Sequence, residues 1–137
     1  CLKEGFTKEY GGTMPVALPG TSYFLRIPYS DVRAIIDNEL PIVLATDFNP
    51  GSSPVHSLQT ISALACTYMR ILPEEVFHAI TINAARALRM EKTIGSLSVG
   101  KRADFLVMKN KDSLYSMPYY LGQNQVSRVF VEGLEIK

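Results

Sequence analysis

The stretch "PIVLATDFNPGSSPVHSL", Pro41 to Leu58, carries a strand, a loop and a helix start in succession. Its first six residues are a continuous apolar run containing β-branched Ile42 and Val43, with no alternation, which predicts a strand buried on both faces. From Thr46 to Pro54 two prolines, a glycine and several Asn, Asp and Ser residues require a loop. Ser53 and Pro54 read as the N-cap and first residue of a helix. Leu58, Ile61, Leu64, Ala65 and Tyr68 then recur at helical spacing, so a helix with one core-facing side is expected over 55–70. Upstream, "TMPVAL", Thr13 to Leu18, reads as a short strand ended by a turn at Pro19-Gly20. A loop containing Tyr and Phe follows, and then a helix capped by Ser30 that ends near Asn38. A strand, a helix and a second strand at these spacings form a parallel βαβ unit, whose functional groups gather at the carboxyl ends of its strands.

Downstream, Pro73-Glu74-Glu75 opens another helix with acidic residues in its first turn, although Leu72 at the cap has no side-chain acceptor. Thr81 is placed to cap a further short helix, "INAARAL", whose alanines imply close packing against a neighbour. The character then changes: "GSLSVGKRADFLVMK" from Gly95 holds a strand at Asp104 to Met108, and "VSRVFVEGLEIK" from Val126 alternates around Glu132-Gly133 like a hairpin. A boundary near Glu91 to Ile94 divides the chain into residues 1–93, carrying strand-helix units, and residues 94–137, a β-rich segment.

The 137 residues are 47% hydrophobic and 20% charged, the balance of a soluble globular protein. Fourteen Lys and Arg against 13 Asp and Glu give a formal net charge of +1, which supplies no broad basic surface for nucleic acid. No stretch approaches the roughly 18 apolar residues of a membrane span, and no charged-then-apolar leader precedes Gly11-Gly12. Cys1 and Cys66 are too few for a disulfide scaffold, so a reducing cytoplasm is expected. The first residue is Cys1 rather than Met, consistent with a processed protein or an excised piece.

Asp47 is the sharpest chemical candidate because it directly follows the buried strand. A carboxylate there can bind a divalent metal, polarise its water or shuttle a proton; equally, it can cap the following loop through bonds to backbone amides. Asn49, Gly51, Ser52 and Ser53 either grip a polar ligand or only shape the turn. His56 and His78 have no second His or Cys at ligand spacing, which favours surface or packing roles. Cys66 reads as a small core residue, and Arg86 and Arg89 as cover for a helix face or its last carbonyls.

The layout Leu72-Pro73-Glu74-Glu75, then Thr81 to Leu88, then Gly95 to Val107 resembles the carboxyl-terminal region of the metal-dependent amidohydrolase superfamily. "LPGTSYFLR", Leu18 to Arg26, and Pro41 to Leu58 resemble more specifically its imidazolonepropionase family, a likeness running from Thr13 to the end. Leu72 stands where Thr or Ser is usual, and Arg89-Met90 replaces a common Gly-Leu. The resemblance implies an α/β fold: the C-terminal part of a (β/α)8 TIM-type barrel plus strands of a small composite β-sandwich. A complete barrel takes at least about 200 residues, and the family's upstream His-x-His pair and further histidine have no match, so a carboxyl-terminal fragment is expected. The implied activity is hydrolysis of 4-imidazolone-5-propanoate to N-formimidoyl-L-glutamate in histidine degradation, by water activated on a divalent ion, usually zinc and sometimes iron. Asp47 falls on the family's metal-binding aspartate, with a catalytic part in moving the water's proton. Asn49, Gly51 and Ser52 fall on substrate-contacting positions. The implied partners are the small-molecule substrate, the missing N-terminal part of the enzyme and further copies in a homo-oligomer. Two other readings stay open: a different amidohydrolase, such as a deaminase or cyclic amidase, and a folded remnant without catalysis.

Overall fold

The computed structural model describes residues 12–109 and 113–136. The expectations placed on Cys1 and Gly11 lie outside these residues. The apolar run at Pro41 forms strand β2 (Val43–Leu44), which pairs in parallel with β1 (Val16–Ala17) in the register Val16↔Val43 and Ala17↔Leu44. Ile42, Val43 and Leu44 are all buried, as continuous apolar character requires.

Two helices rather than one connect these strands: α1 (Pro19–Leu25) and α2 (Val32–Asp37). The expected turn at Pro19-Gly20 is instead the start of α1. Proline at the first helical position gives up an N–H that has no intrahelical partner anyway. Gly20 is required by close approach, because a Cβ there would stand 2.9 Å from Ser53 Oγ and 3.0 Å from Ile61 Cδ1. Asp31, one residue beyond the expected Ser30, caps α2 by accepting the Ala34 amide at 3.1 Å, and the helix ends at Asn38.

Helix α3 (Leu58–Met69) begins later than expected, with Ser57 as its cap. The reason is a long-range bond: buried Ser53 donates its hydroxyl to the Thr46 carbonyl at 2.7 Å and closes the neck of the loop. Helix α4 (Pro73–Ile80) has the weak cap foreseen at Leu72, offset by Glu75 reaching back to accept the Leu72 amide at 2.8 Å. Glu75 also receives Arg33 Nη1 and Nη2 at 2.9 and 3.0 Å, tying α2 to α4. Thr81 does not cap α5 (Ile82–Ala87) through its side chain; its hydroxyl turns back to the Phe77 carbonyl. Ile61, Ala65, Val76 and Ala79 of α3 and α4 join Val32, Ile42 and Leu44 in one core.

The remaining elements are β3 (Phe105–Met108), α6 (Ser116–Tyr119), β4 (Val126–Val131) and β5 (Leu134–Ile136), with the strands forming an antiparallel sheet in the order β3-β4-β5. Glu132 and Gly133 both adopt left-handed φ, 52° and 81°, which matches the twist of a tight hairpin. Phe105 stacks on Phe130 across β3 and β4, 4.4 Å between centroids. Packing runs continuously past residue 93. The Arg102 amide donates to the Thr93 carbonyl at 2.9 Å, and Gly95, at φ +88°, sits where a Cβ would meet that of Ala85 at 2.6 Å. The alanine-rich α5 is therefore packed closely, against the start of the C-terminal segment.

Buried Gln125, just before β4, links that strand to α6 and to α3. Its amide nitrogen Nε2 donates to the Ser116 and Met117 carbonyls at 3.2 Å each, and its backbone N–H donates to Gln59 Oε1 of α3 at 2.9 Å. Met117 enters the helical core. Among the described residues no helix is long and apolar enough to cross a membrane.

Candidate active site

Because β1 and β2 run in parallel and in register, the chain leaves both at the same end of the sheet, Leu18 to Thr21 after β1 and Ala45 to Asp47 after β2. Thr21, in the first turn of α1, donates its hydroxyl to Asp47 Oδ2 at 2.8 Å. Asp47 is exposed and takes a left-handed backbone, φ 50°, tolerated by Asp better than by most side chains. Its Oδ1 has no hydrogen bond from any described residue. The sequence does not single out Thr21, since a threonine in an assumed loop carries no signal; a helix start at Pro19 puts it in the first turn of α1, and only the parallel strand pairing brings that turn beside Asp47.

Asn49 organises the loop. Its Oδ1 accepts from the Gly51 and Ser52 amides at 2.9 and 2.8 Å, and its Nδ2 donates to the Asp47 carbonyl at 2.6 Å and to Ser52 Oγ at 2.9 Å. The backbones of Asn49 and Ser53 bridge one another at 3.0 and 3.4 Å. The structure thus brings Asp47, Asn49, Gly51 and Ser52 into one turn, with the two loop amides donated to Asn49. Phe48 lies edge-on to His56, 5.9 Å between centroids, at the foot of the same loop. His78 is exposed on α4, away from the loop. Cys66 is half-buried on α3, and burial followed by the charges of Glu74 and Glu75 pushes its thiol pKa up, away from nucleophilic use.

A groove of about 950 Å³ lies elsewhere, lined by Phe77, Leu88, Phe105, Met117 and their neighbours; Asp47, Asn49, Gly51 and Ser52 are not in its walls. Its lining is predominantly apolar, which suits packing rather than the chemistry of a carboxylate.

Residues 14–136 match the model of the amidohydrolase family. The chain belongs to that family. Among relatives, an imidazolonepropionase of Christiangramia forsetii is 47% identical over 121 residues, covering 88% of this chain and 29% of that protein. An imidazolonepropionase of Flavobacterium johnsoniae is 46% identical over the same coverage. The chain thus spans under a third of the length of the curated relatives it matches. Among solved structures of the same architecture, a zinc-bound adenosine deaminase from Xanthomonas campestris superposes with a TM-score of 0.80 at 21% identity, covering 91% of this chain and 32% of that one. The guanine deaminase of E. coli gives 0.77 at 17% identity, covering 91% and 34%. These structural likenesses establish the amidohydrolase fold for the strand-helix units and sheet described above.

Membership raises the question of metal. Among the described residues, no three His, Cys, Asp or Glu side chains converge as a ligand group. Asp47 fits a divalent ion as one ligand among several, a carboxylate at a strand's carboxyl end with one oxygen anchored and the other without a partner among the described residues.

Proposed function

We propose that the enzyme to which this chain contributes hydrolyses 4-imidazolone-5-propanoate to N-formimidoyl-L-glutamate, adding water across a ring C–N bond in histidine degradation. The observation that carries this is the turn after β2: Asp47 stands beside the Asn49–Ser52 loop, within a sequence 47% identical to an imidazolonepropionase. We place the chain in the C-terminal part of a (β/α)8 barrel, residues 1–93, with residues 94–137 contributing strands to a composite sandwich.

Asp47 is assigned as a metal ligand. A divalent ion, zinc with iron as the alternative, when bound supplies the charge that acidifies water for attack on the ring carbonyl. Asp47 Oδ1 is the atom suited to take up the water's proton and return it as the C–N bond breaks. Asn49, Gly51 and Ser52 orient the substrate. Because the Asn49 amide, the Gly51 and Ser52 N–H groups and the Ser52 hydroxyl all bond one another within the turn, orienting the substrate requires the turn to exchange at least one of these bonds for a bond to it. The further ligands and general catalysts belong to the remainder of the enzyme, for which the exposed apolar residues Leu97 and Val99 are contact sites. The whole is assigned to the cytoplasm as a homo-oligomer.

A deaminase is the second reading, favoured by the two deaminase structures that share the fold. Assay of the full-length enzyme against the imidazolone and against adenine and guanine nucleosides and bases decides between them. Formation of N-formimidoyl-L-glutamate without ammonia is expected. Ammonia release from a purine, with the imidazolone untouched, would overturn the proposal.

A further inference from the structure

Only one side chain among the described residues hydrogen-bonds the carboxylate of Asp47, and it comes from a different strand-helix unit. Thr21 reaches it because three local features converge. Pro19 starts α1 immediately after β1, Gly20 lets that helix lie against Ser53 and Ile61, and the parallel register of β1 and β2 sets the two chain exits side by side. The hydroxyl donates to Oδ2 at 2.8 Å. A left-handed backbone at Asp47 leaves its side chain without the support of a regular element, so this bond is what selects one carboxylate orientation. The closure by Ser53 acts on the backbone of the same turn and not on the carboxylate.

We infer that Thr21 is a positioning residue: it holds Oδ2 so that Oδ1 alone is presented to the metal and the reacting water. This rests on the metal-ligand reading of Asp47 given above. A purely structural bond would tie α1 to the loop and affect stability only. A positioning bond acts through Asp47, and so on metal retention and on turnover rather than on substrate affinity.

The test uses the full-length enzyme carrying Thr21→Val, Thr21→Ser, Asp47→Asn and the double variant Thr21→Val with Asp47→Asn. Three quantities are measured: kcat and KM, the rate of metal loss to a chelator, and the melting temperature. A hydrogen bond to a charged group corresponds to roughly tenfold or more in rate or exchange. Thr21→Val is therefore expected to lower kcat about tenfold and to speed metal loss by a similar factor, with KM within about twofold. Thr21→Ser keeps the hydroxyl and should stay near wild type. The double variant should be no worse than Asp47→Asn alone, since Thr21 acts only through that carboxylate. Thr21→Val with a lowered melting temperature but normal kcat and metal retention would overturn the inference while leaving the Asp47 assignment standing. Multiplying effects in the double variant would overturn it equally. Normal turnover and metal retention in Asp47→Asn would instead reject the site reading itself, and the inference with it.

Discussion

The helical part and the C-terminal sheet solve the same problem of burying apolar surface in opposite ways. In the first, strands of only two residues are enclosed by helices, and Ile61 and Val76 reach 0% exposure. In the second, longer strands pair in ladders, with a register shift between Val107 and Met108, but stay open: Leu134 is 73% and Ile136 54% exposed. One part is held by side-chain packing and the other by backbone pairing, the Phe105–Phe130 stack and surface charge. Mutational sensitivity should therefore be concentrated in the helices, and functional chemistry sits where the two short strands end.

The largest contrast is expected from paired truncations. Ile61→Ala should cost about 2–5 kcal/mol, because a cavity opens in a closed core. Leu134→Ala should stay within about 0.5 kcal/mol. Denaturant melts of both variants measure the difference, and equal costs would show that the sheet is covered as tightly as the core.

Glycine substitutions should also separate the two regions. Gly95→Ala meets Ala85 at 2.6 Å and also adopts a disfavoured φ, whereas Gly133→Ala carries the φ penalty alone, its nearest neighbour being 3.8 Å away. The left-handed backbone should cost about 1 kcal/mol at each position. Gly95→Ala should lower the melting temperature by clearly more.

Acid should also weaken the helical part. Burial pushes the Glu75 carboxyl up, but the Arg33 hydrogen bonds, the Leu72 amide and the Arg33 charge outweigh it, so its pKa lies below the ordinary 4.5. A carboxylate depressed in the folded state contributes stability above its unfolded pKa and loses it as pH falls through the folded value. Stability should therefore decline as pH drops below about 4.5, and Glu75→Gln should flatten that decline. A pH series of melting temperatures in which Glu75→Gln parallels wild type would remove Glu75 from the account. The smallest effect is expected for Glu135→Gln in the sheet. Its bonds to Arg128 at 2.7 and 2.8 Å lie in solvent, so added salt should erase what difference there is.

The parallel strand pair is legible because the short apolar run at Pro41 is β-branched and ends at a turn-forming loop, though two helices rather than one connect the strands, and the hairpin is legible because Glu132-Gly133 supplies the left-handed pair such a turn needs. What the sequence hid was decided at long range. Pro19-Gly20 carries a turn signal, yet the space beside Ser53 and Ile61 makes it the start of a helix. Ser53-Pro54 has the chemistry of a helix start, yet the Ser53 hydroxyl is claimed by the Thr46 carbonyl, and Ser57 takes over the cap. The same holds at the site. Asp47 was visible as an acid after a strand, while Thr21 could be recognised only once two strands were placed side by side.

The Gln125 joint has a consequence for the order in which the molecule opens. Its side chain ties α6 to β4, its N–H is held by α3, and Asn124 adds a bond to Gln59. Separating the sheet from the helices would strand a buried amide without partners, so the exposed sheet cannot melt away on its own as its surface would suggest. The backbone amides of β4 are then expected to exchange with solvent deuterium in the same cooperative event as those of the middle of α3, and the amide of Gln125 to be among the slowest outside the helical core.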